Sequence, residues 1–196
     1  MEPGSAGLEQ QEDDYDSAAY LAEDVKNLPE RPVPAVQRNF TQYFALDVNG
    51  IQGHDQYIYR HPNGLCIVGL APSHPALQPG RNIQRVDFNL KKDGKGHEDM
   101  KGKLKRNAQP LQANSHLCKV VMDDGMVFNV RYGLQGVLLE KNSRLAEDSK
   151  LLQDKAATEG FLAILMPRPE AWVQTEKNLL SLEQYLLQKG SVVPSG

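Results

Sequence analysis

The 196 residues, 40% hydrophobic and 24% charged with a formal net charge of −3, suit one soluble domain with a tail. The longest apolar run is Phe161–Met166, too short to span a membrane, so no membrane partner is expected. Charge is uneven: residues 1–37 net −7 and residues 91–106 net +4, so the basic character sits in one loop and the rest of the domain is near neutral.

In chain order, residues 1–37 are rich in Glu, Asp and Pro and poor in large apolar side chains. Such a segment cannot bury enough surface to offset chain entropy, and it reads as a disordered acidic tail with a transient helix over Ser17–Val25. It lacks an apolar h-region, and no Arg precedes Arg31, so neither a secretory nor a mitochondrial leader is expected. The folded domain is assigned to residues 38–189, with 190–196 as a disordered end. Phe40, Tyr43 and Phe44 read as an aromatic cluster on one helical turn or an irregular segment, and Val48–Gly53 as a loop. His54–Arg60 and Leu65–Leu70 read as strands joined through His61-Pro62-Asn63-Gly64, with Asn-Gly supplying the turn. The three prolines of Ala71–Gly80 exclude a central strand. Ile83–Leu90 alternates apolar and polar and predicts a half-buried strand. Residues 91–116 are rich in Lys and Gly, with a short strand at Gly102–Arg106.

The organising stretch is Leu117–Glu140. Two β-branched apolar runs, Leu117–Met122 and Met126–Tyr132, flank Asp123-Asp124-Gly125, and an Asp-Gly pair between such runs is a strong hairpin signal. A second turn at Gly133–Gly136 leads to Val137–Glu140. Lys141–Asp148 reads as a loop anchored by Leu145, and Ser149–Thr158 is polar apart from Leu151 and Leu152. Gly160–Met166 predicts a buried strand ended by Pro167 and Pro169. Ser181-Leu182-Glu183-Gln184 fits a capping box opening a helix through Gln188, with Leu182, Tyr185 and Leu186 as its apolar stripe. Many short strands with Gly and Pro turns and one terminal helix make the fold mainly β, a small barrel or sandwich.

No catalytic constellation is legible. His54, His61, His74, His97, His116, Cys66 and Cys118 never fall at metal-ligand spacing, so surface or turn histidines and buried thiols are expected, with no metal. Two cysteines without a disulfide framework point to a reducing compartment. Ser73-His74 are neighbours in sequence, which is not the geometry of a nucleophile and its base. No phosphate-binding glycine loop or nucleophile elbow is present. The basic run Lys101, Lys103, Lys105 and Arg106 fits a nuclear localisation signal, a contact for a polyanion such as nucleic acid or an acidic protein surface, or a solvated loop that keeps an edge strand soluble. It lacks the interleaved aromatics of single-strand binders, which argues against base recognition.

The run GLQGVLLEKNSRLAEDSKLLQDKAATEGFLAILMPRPEAW, followed by LSLEQYLLQ, resembles the C-terminal half of the glycine-cleavage H-protein and lipoyl-like domains. A turn glycine (Gly136) leads a strand ending in an acid and Asn (Glu140, Asn142), then a loop, an apolar strand and a terminal helix. The blocks LCIVGLAPSHPAL (Leu65–Leu77), KGKLKRNAQPL (Lys101–Leu111), LCKVVMDDGMVFNV (Leu117–Val130) and TEGFLAILMP (Thr158–Pro167) resemble more closely the Abitram family, the actin-binding transcription modulator also called Simiate and a relative of the H-protein. The resemblance covers roughly residues 37–188, and no single block is a catalytic motif. It implies a barrel-sandwich hybrid fold. It also implies a non-enzymatic protein that binds actin, modulates its polymerisation and has a role in transcription regulation. The location implied is the nucleus, including nuclear speckles, and the cytoplasm, including actin-rich projections. In the H-protein the hairpin tip displays a lysine that carries lipoate. Here the tip is Asp123-Asp124-Gly125-Met126, while Lys119 lies within a strand and Lys141 beyond the next one, so no lipoyl cofactor is expected. The rival functions are a lipoyl-type carrier and a nucleic-acid-binding adaptor using the basic loop, with Lys101, Lys103, Lys105 and Arg106 as the partner-binding candidates.

Overall fold

The computed structural model describes residues 35–89 and 110–190. The expected acidic tail, the transient helix at Ser17–Val25, the short strand at Gly102–Arg106 and the end 191–196 all lie outside them. The described chain begins with a helical turn α1 (Ala35–Asn39), which straddles the expected start at Arg38.

Two antiparallel sheets follow from the strand order. The larger runs β7-β8-β3-β2-β1-β9 and the smaller β4-β5-β6. Their strands are β1 (Thr41–Ala45), β2 (Gln56–Arg60), β3 (Cys66–Leu70), β4 (Ile83–Asp87), β5 (His116–Met122), β6 (Val127–Arg131), β7 (Val137–Lys141), β8 (Ala163–Met166) and β9 (Leu180–Ser181). Short helices α2 (Arg144–Glu147), α3 (Lys150–Asp154), α4 (Pro169–Glu176) and α5 (Leu182–Lys189) fill the C-terminal third. This is the mainly β architecture of short strands with Gly and Pro turns that the sequence predicts.

The main core lies between the sheets. Ile58, Val68, Leu70 and Leu165 of the large sheet share it with Val86, Leu117, Val120, Met122, Phe128 and Val130 of the small one. A second cluster covers the other face of the large sheet: Phe44, Tyr57 and Tyr59 pack with Tyr185 of α5. Tyr185 stacks on Phe44 with ring centroids 4.0 Å apart and planes at 9°. Hence β2 is buried on both faces although its sequence, QYIYR, looks half polar: Ile58 faces one cluster, Tyr57 and Tyr59 the other. Tyr57 can lie flat on the sheet because its cross-strand partner is Gly69, where a Cβ would sit 2.3 Å from the tyrosine ring.

Two expectations about local structure need correction. Phe40, Tyr43 and Phe44 do not share a helical turn; Tyr43 and Phe44 lie on β1, which pairs with β2 over its whole length. Alternation then sends Phe44 into the aromatic cluster and Tyr43 to the opposite face, against Trp172. The loop read over Lys141–Asp148 and the single terminal helix give way to several helices: Lys141–Asp148 contains α2, Ser149–Thr158 contains α3, and the residues after Pro167 form α4, whose first turn accepts Pro169 because that position needs no N–H donor. Leu145 on α2 and Leu152 on α3 are fully buried, each contributing about 2 kcal/mol of apolar transfer.

Candidate functional site

The apex of the β5–β6 hairpin is built by its three loop residues. Gly125 takes φ 83°, and its N–H donates to the Met122 carbonyl at 3.2 Å, while Met122 N–H donates to Met126 O at 2.9 Å. This is a tight turn closed by a glycine bulge. The His61–Leu65 loop repeats the pattern with Gly64 at φ 93°. Side chains then stiffen the apex. Asp124 Oδ1 accepts from Met126 N–H at 2.8 Å, and Asn82 Nδ2 donates to Asp123 Oδ2 at 2.9 Å. The tip thus displays two carboxylates and a thioether, with no amine. Lys119 sits mid-strand on β5, between Asp87 of β4 and Asn129 of β6, and Lys141 ends β7. Neither lysine stands at the turn.

A polar cluster that sequence reasoning missed lies under α5. Asp55 is fully buried. Its Oδ2 accepts from Ser73 Oγ at 2.5 Å and lies 3.0 Å from Lys189 Nζ, and its Oδ1 accepts from the Asp47 N–H at 2.9 Å. Tyr185 closes the set: its hydroxyl donates to Ser73 Oγ at 2.9 Å and accepts from Ser73 N–H at 3.1 Å. Burial works to raise the Asp55 pKa, but hydrogen bonds from Ser73, the Asp47 N–H and Lys189 outweigh it and hold the carboxyl below its ordinary value. The same hydrogen bond raises Lys189. The arrangement fastens the end of the terminal helix to the Pro-rich loop. The four groups come from three stretches far apart in the chain, so no spacing announces them.

Ser73 therefore engages a carboxylate and not its neighbour His74. His74 is a turn histidine, one of the two expected kinds, and it is buried: its Nδ1 accepts from Ala76 N–H at 3.1 Å to cap the turn Pro75–Leu77. Burial, with the His54 ring 5.2 Å away, pushes its pKa down to about 3. An imidazole occupied in this way is no general base for Ser73. Cys66 and Cys118 are fully buried free thiols on β3 and β5, and burial pushes the Cys66 thiol up to about 11. Among the described residues no group of three or more His, Cys, Asp and Glu side chains is placed to hold a metal, and no helix is long and apolar enough to cross a membrane. His97 and the basic candidates Lys101, Lys103, Lys105 and Arg106 lie outside the described residues.

No protein-family model matches the chain. Curated relatives named Protein Abitram do. The protein from Homo sapiens is 34% identical over 151 residues, 76% of this chain and 83% of that protein. The one from Xenopus tropicalis is 32% identical over 179 residues, covering 90% and 97%. The one from Dictyostelium discoideum is 32% identical over 166 residues, covering 80% and 92%. Among solved structures, a glycine cleavage system H protein from Mycobacterium marinum superposes with a TM-score of 0.50 at 16% identity, over 81% of this chain and 99% of that one. That likeness is one of fold alone.

Proposed function

The chain belongs to the Abitram family, and from that premise we propose that it is a non-catalytic interaction protein that binds actin and modulates actin polymerisation, with a role in transcription regulation. The observation that carries the non-carrier half is the hairpin apex. A prosthetic arm needs an exposed amine from which to swing between partner active sites, and Asp123, Asp124, Gly125 and Met126 supply none. The polar groups beneath α5 are spent on one another, which is how a structural network differs from a site awaiting substrate. The actin half rests on the family resemblance, as do the nuclear and cytoplasmic locations.

The basic run Lys101, Lys103, Lys105 and Arg106 is the candidate contact, because actin's surface is acidic and Lys and Arg steer association with such surfaces. Co-sedimentation with filamentous actin, across a salt series, tests this. Changing all four to Ala is expected to weaken binding and flatten its salt dependence; unchanged binding removes the loop from the account. Loss of any effect of the wild-type chain on polymerisation kinetics would overturn the actin reading itself. Intact-mass measurement of the protein from cells tests the carrier alternative, and a lipoyl adduct would reinstate it.

A further inference from the structure

The edges of the two sheets are treated unequally. At the start of β4 the outer edge is occupied by side chains of Ser149 and of Gln153 on α3. Ser149 Oγ donates to the carbonyls of Ile83 at 3.1 Å and Gln84 at 3.2 Å, and Gln153 Oε1 accepts from Ile83 N–H at 3.2 Å. Of the two edge strands of the large sheet, β9 is two residues long and β7 carries a bulge between Leu138 and Glu140. Capping and shortening are ordinary protections against unwanted strand addition. β6 has neither along most of its length.

The phase of its hydrogen bonds follows from the turn. Met122 N–H donates to Met126 O, and antiparallel ladders alternate. Phe128 and Val130 therefore exchange bonds with Val120 and Cys118, while Val127 and Asn129 turn their N–H and C=O groups away from β5. The carbonyl of Arg131, next in that phase, accepts from Gln56 Nε2 of β2 at 2.8 Å, which closes the far end of the edge. Among the described residues nothing bonds the outward groups of Val127 and Asn129.

Chemistry is graded along this edge. Val127 is 48% and Met126 43% exposed, an apolar pair next to the tip. Asp123 and Asp124 stand exposed just beyond them, and Asn129 is exposed on the other side. We propose that the open edge of β6 is a docking strand for an extended segment of a partner protein. The segment adds antiparallel along Val127–Asn129, sets a β-branched or aromatic residue beside Val127, and places Lys or Arg C-terminal to it against Asp123 and Asp124. Main-chain bonds supply the affinity of strand addition and alternate side chains its specificity. The two carboxylates select for a cationic end and against an acidic segment. This surface is separate from the basic loop and does not rest on the actin reading.

The probe is a phage-displayed library of extended peptides roughly ten residues long, panned against the full chain. Enriched peptides are then synthesised and titrated by fluorescence anisotropy at physiological salt. Sequences alternating β-branched residues, with Lys or Arg toward the C-terminus, are expected to emerge. Asn129→Pro removes one outward N–H at a position where an edge strand tolerates proline, and thermal unfolding checks that the fold persists. It should weaken the peptides at least about tenfold, and Asp123→Lys with Asp124→Lys by about tenfold. The same peptides N-methylated at alternate amides give a test that leaves the protein untouched, with a similar loss expected. Enrichment without charge bias, or equal binding to Asn129→Pro and by N-methylated peptides, would overturn the proposal. So would a wild-type dimer that Asn129→Pro renders monomeric, since a second copy would then own the edge. Tighter peptide binding by the chain with Lys101, Lys103, Lys105 and Arg106 changed to Ala would do the same, by showing that the chain's own loop competes there.

Discussion

Replacing Asp55 tests the account of what holds α5 in place. Asp55→Ala removes three partners at once: Ser73 Oγ at 2.5 Å, the Asp47 N–H at 2.9 Å and Lys189 Nζ at 3.0 Å. Ser73 keeps its bonds to Tyr185, and Lys189, whose side chain is 27% exposed, can turn back to water. Breaking one half of a buried ion pair costs about 3–5 kcal/mol, and the partial exposure of Lys189 places this case at the lower end, about 3 kcal/mol. Lys189→Met is milder at about 1–2 kcal/mol, because the carboxylate retains two donors. Urea unfolding followed through the fluorescence of Trp172, the only tryptophan, reads both. The pH dependence has a fixed sign. Asp55 titrates lower in the folded state than its ordinary 3.8, so the unfolded state binds more protons in the acid range. Its stabilisation is complete above about pH 4–5 and is lost as pH falls through the folded value, so the gap between wild type and Asp55→Ala narrows in acid. Lys189, raised in the fold, would lose its share only in strong alkali. A cost below about 0.5 kcal/mol at neutral pH, within ordinary surface effects, refutes the latch, as does a gap that widens on acidification.

Three further outcomes follow from burial. His74 is neutral in the fold with a pKa near 3 against an ordinary 6.5, so the unfolded state gains the proton first and stability falls as pH drops through that window. His74→Asn keeps an acceptor for the Ala76 N–H and should flatten the fall in urea midpoint between about pH 6.5 and 4.5, leaving only what His54 contributes; an unchanged slope removes His74 from the account. Gly125→Ala meets open space and pays only for φ 83°, about 1 kcal/mol, whereas Gly69→Ala drives a methyl into the Tyr57 ring and costs about 3 kcal/mol. Equal shifts in thermal midpoint would contradict the packing of β2 on β3. Cys66 and Cys118 should react with a thiol reagent only at the rate of opening, and immediate labelling of either in the native protein would misplace β3 or β5.

Turn chemistry was the most legible part of the fold. Asp124-Gly125 and Asn63-Gly64 each mark a hairpin whose closure needs a residue at positive φ, and the chain forms both where the dipeptides stand. The capping box at Ser181 was equally local: Ser181 Oγ accepts from Gln184 N–H at 3.3 Å and Ser181 N–H donates to Gln184 Oε1 at 2.9 Å. What failed to read were elements whose character depends on distant partners. β1 carries adjacent aromatics that suit a helix face as well as a strand, and only pairing with β2 decides between them. The residues of α4 show little apolar periodicity, yet the helix is held through Trp172, whose indole donates to Glu176 at 3.1 Å and receives the Arg60 guanidinium 4.0 Å above its ring.

The same distinction explains why the candidate sites were unevenly visible. An absent amine at a hairpin apex can be read from four consecutive letters, since the turn fixes which side chains are displayed. A carboxylate buried beneath a helix cannot. Nothing within several residues of Asp55 marks it as different from a solvent-facing acid at the start of the strand read over His54–Arg60. Its partners Ser73 and Lys189, and Tyr185 that bonds Ser73, acquire meaning only when the residues leading into β2, the Pro-rich loop and α5 meet. On an H-protein-like scaffold these two facts bear on each other. The terminal helix α5 is tied to the Pro-rich loop region by an internal ion pair, while the hairpin displays two carboxylates and a thioether at its apex and, among the described residues, leaves the outward groups of Val127 and Asn129 on β6 without a bonded partner. On the reading proposed above, function runs through surfaces, and the outer edge of β6 is a surface whose recognition rules its own backbone dictates.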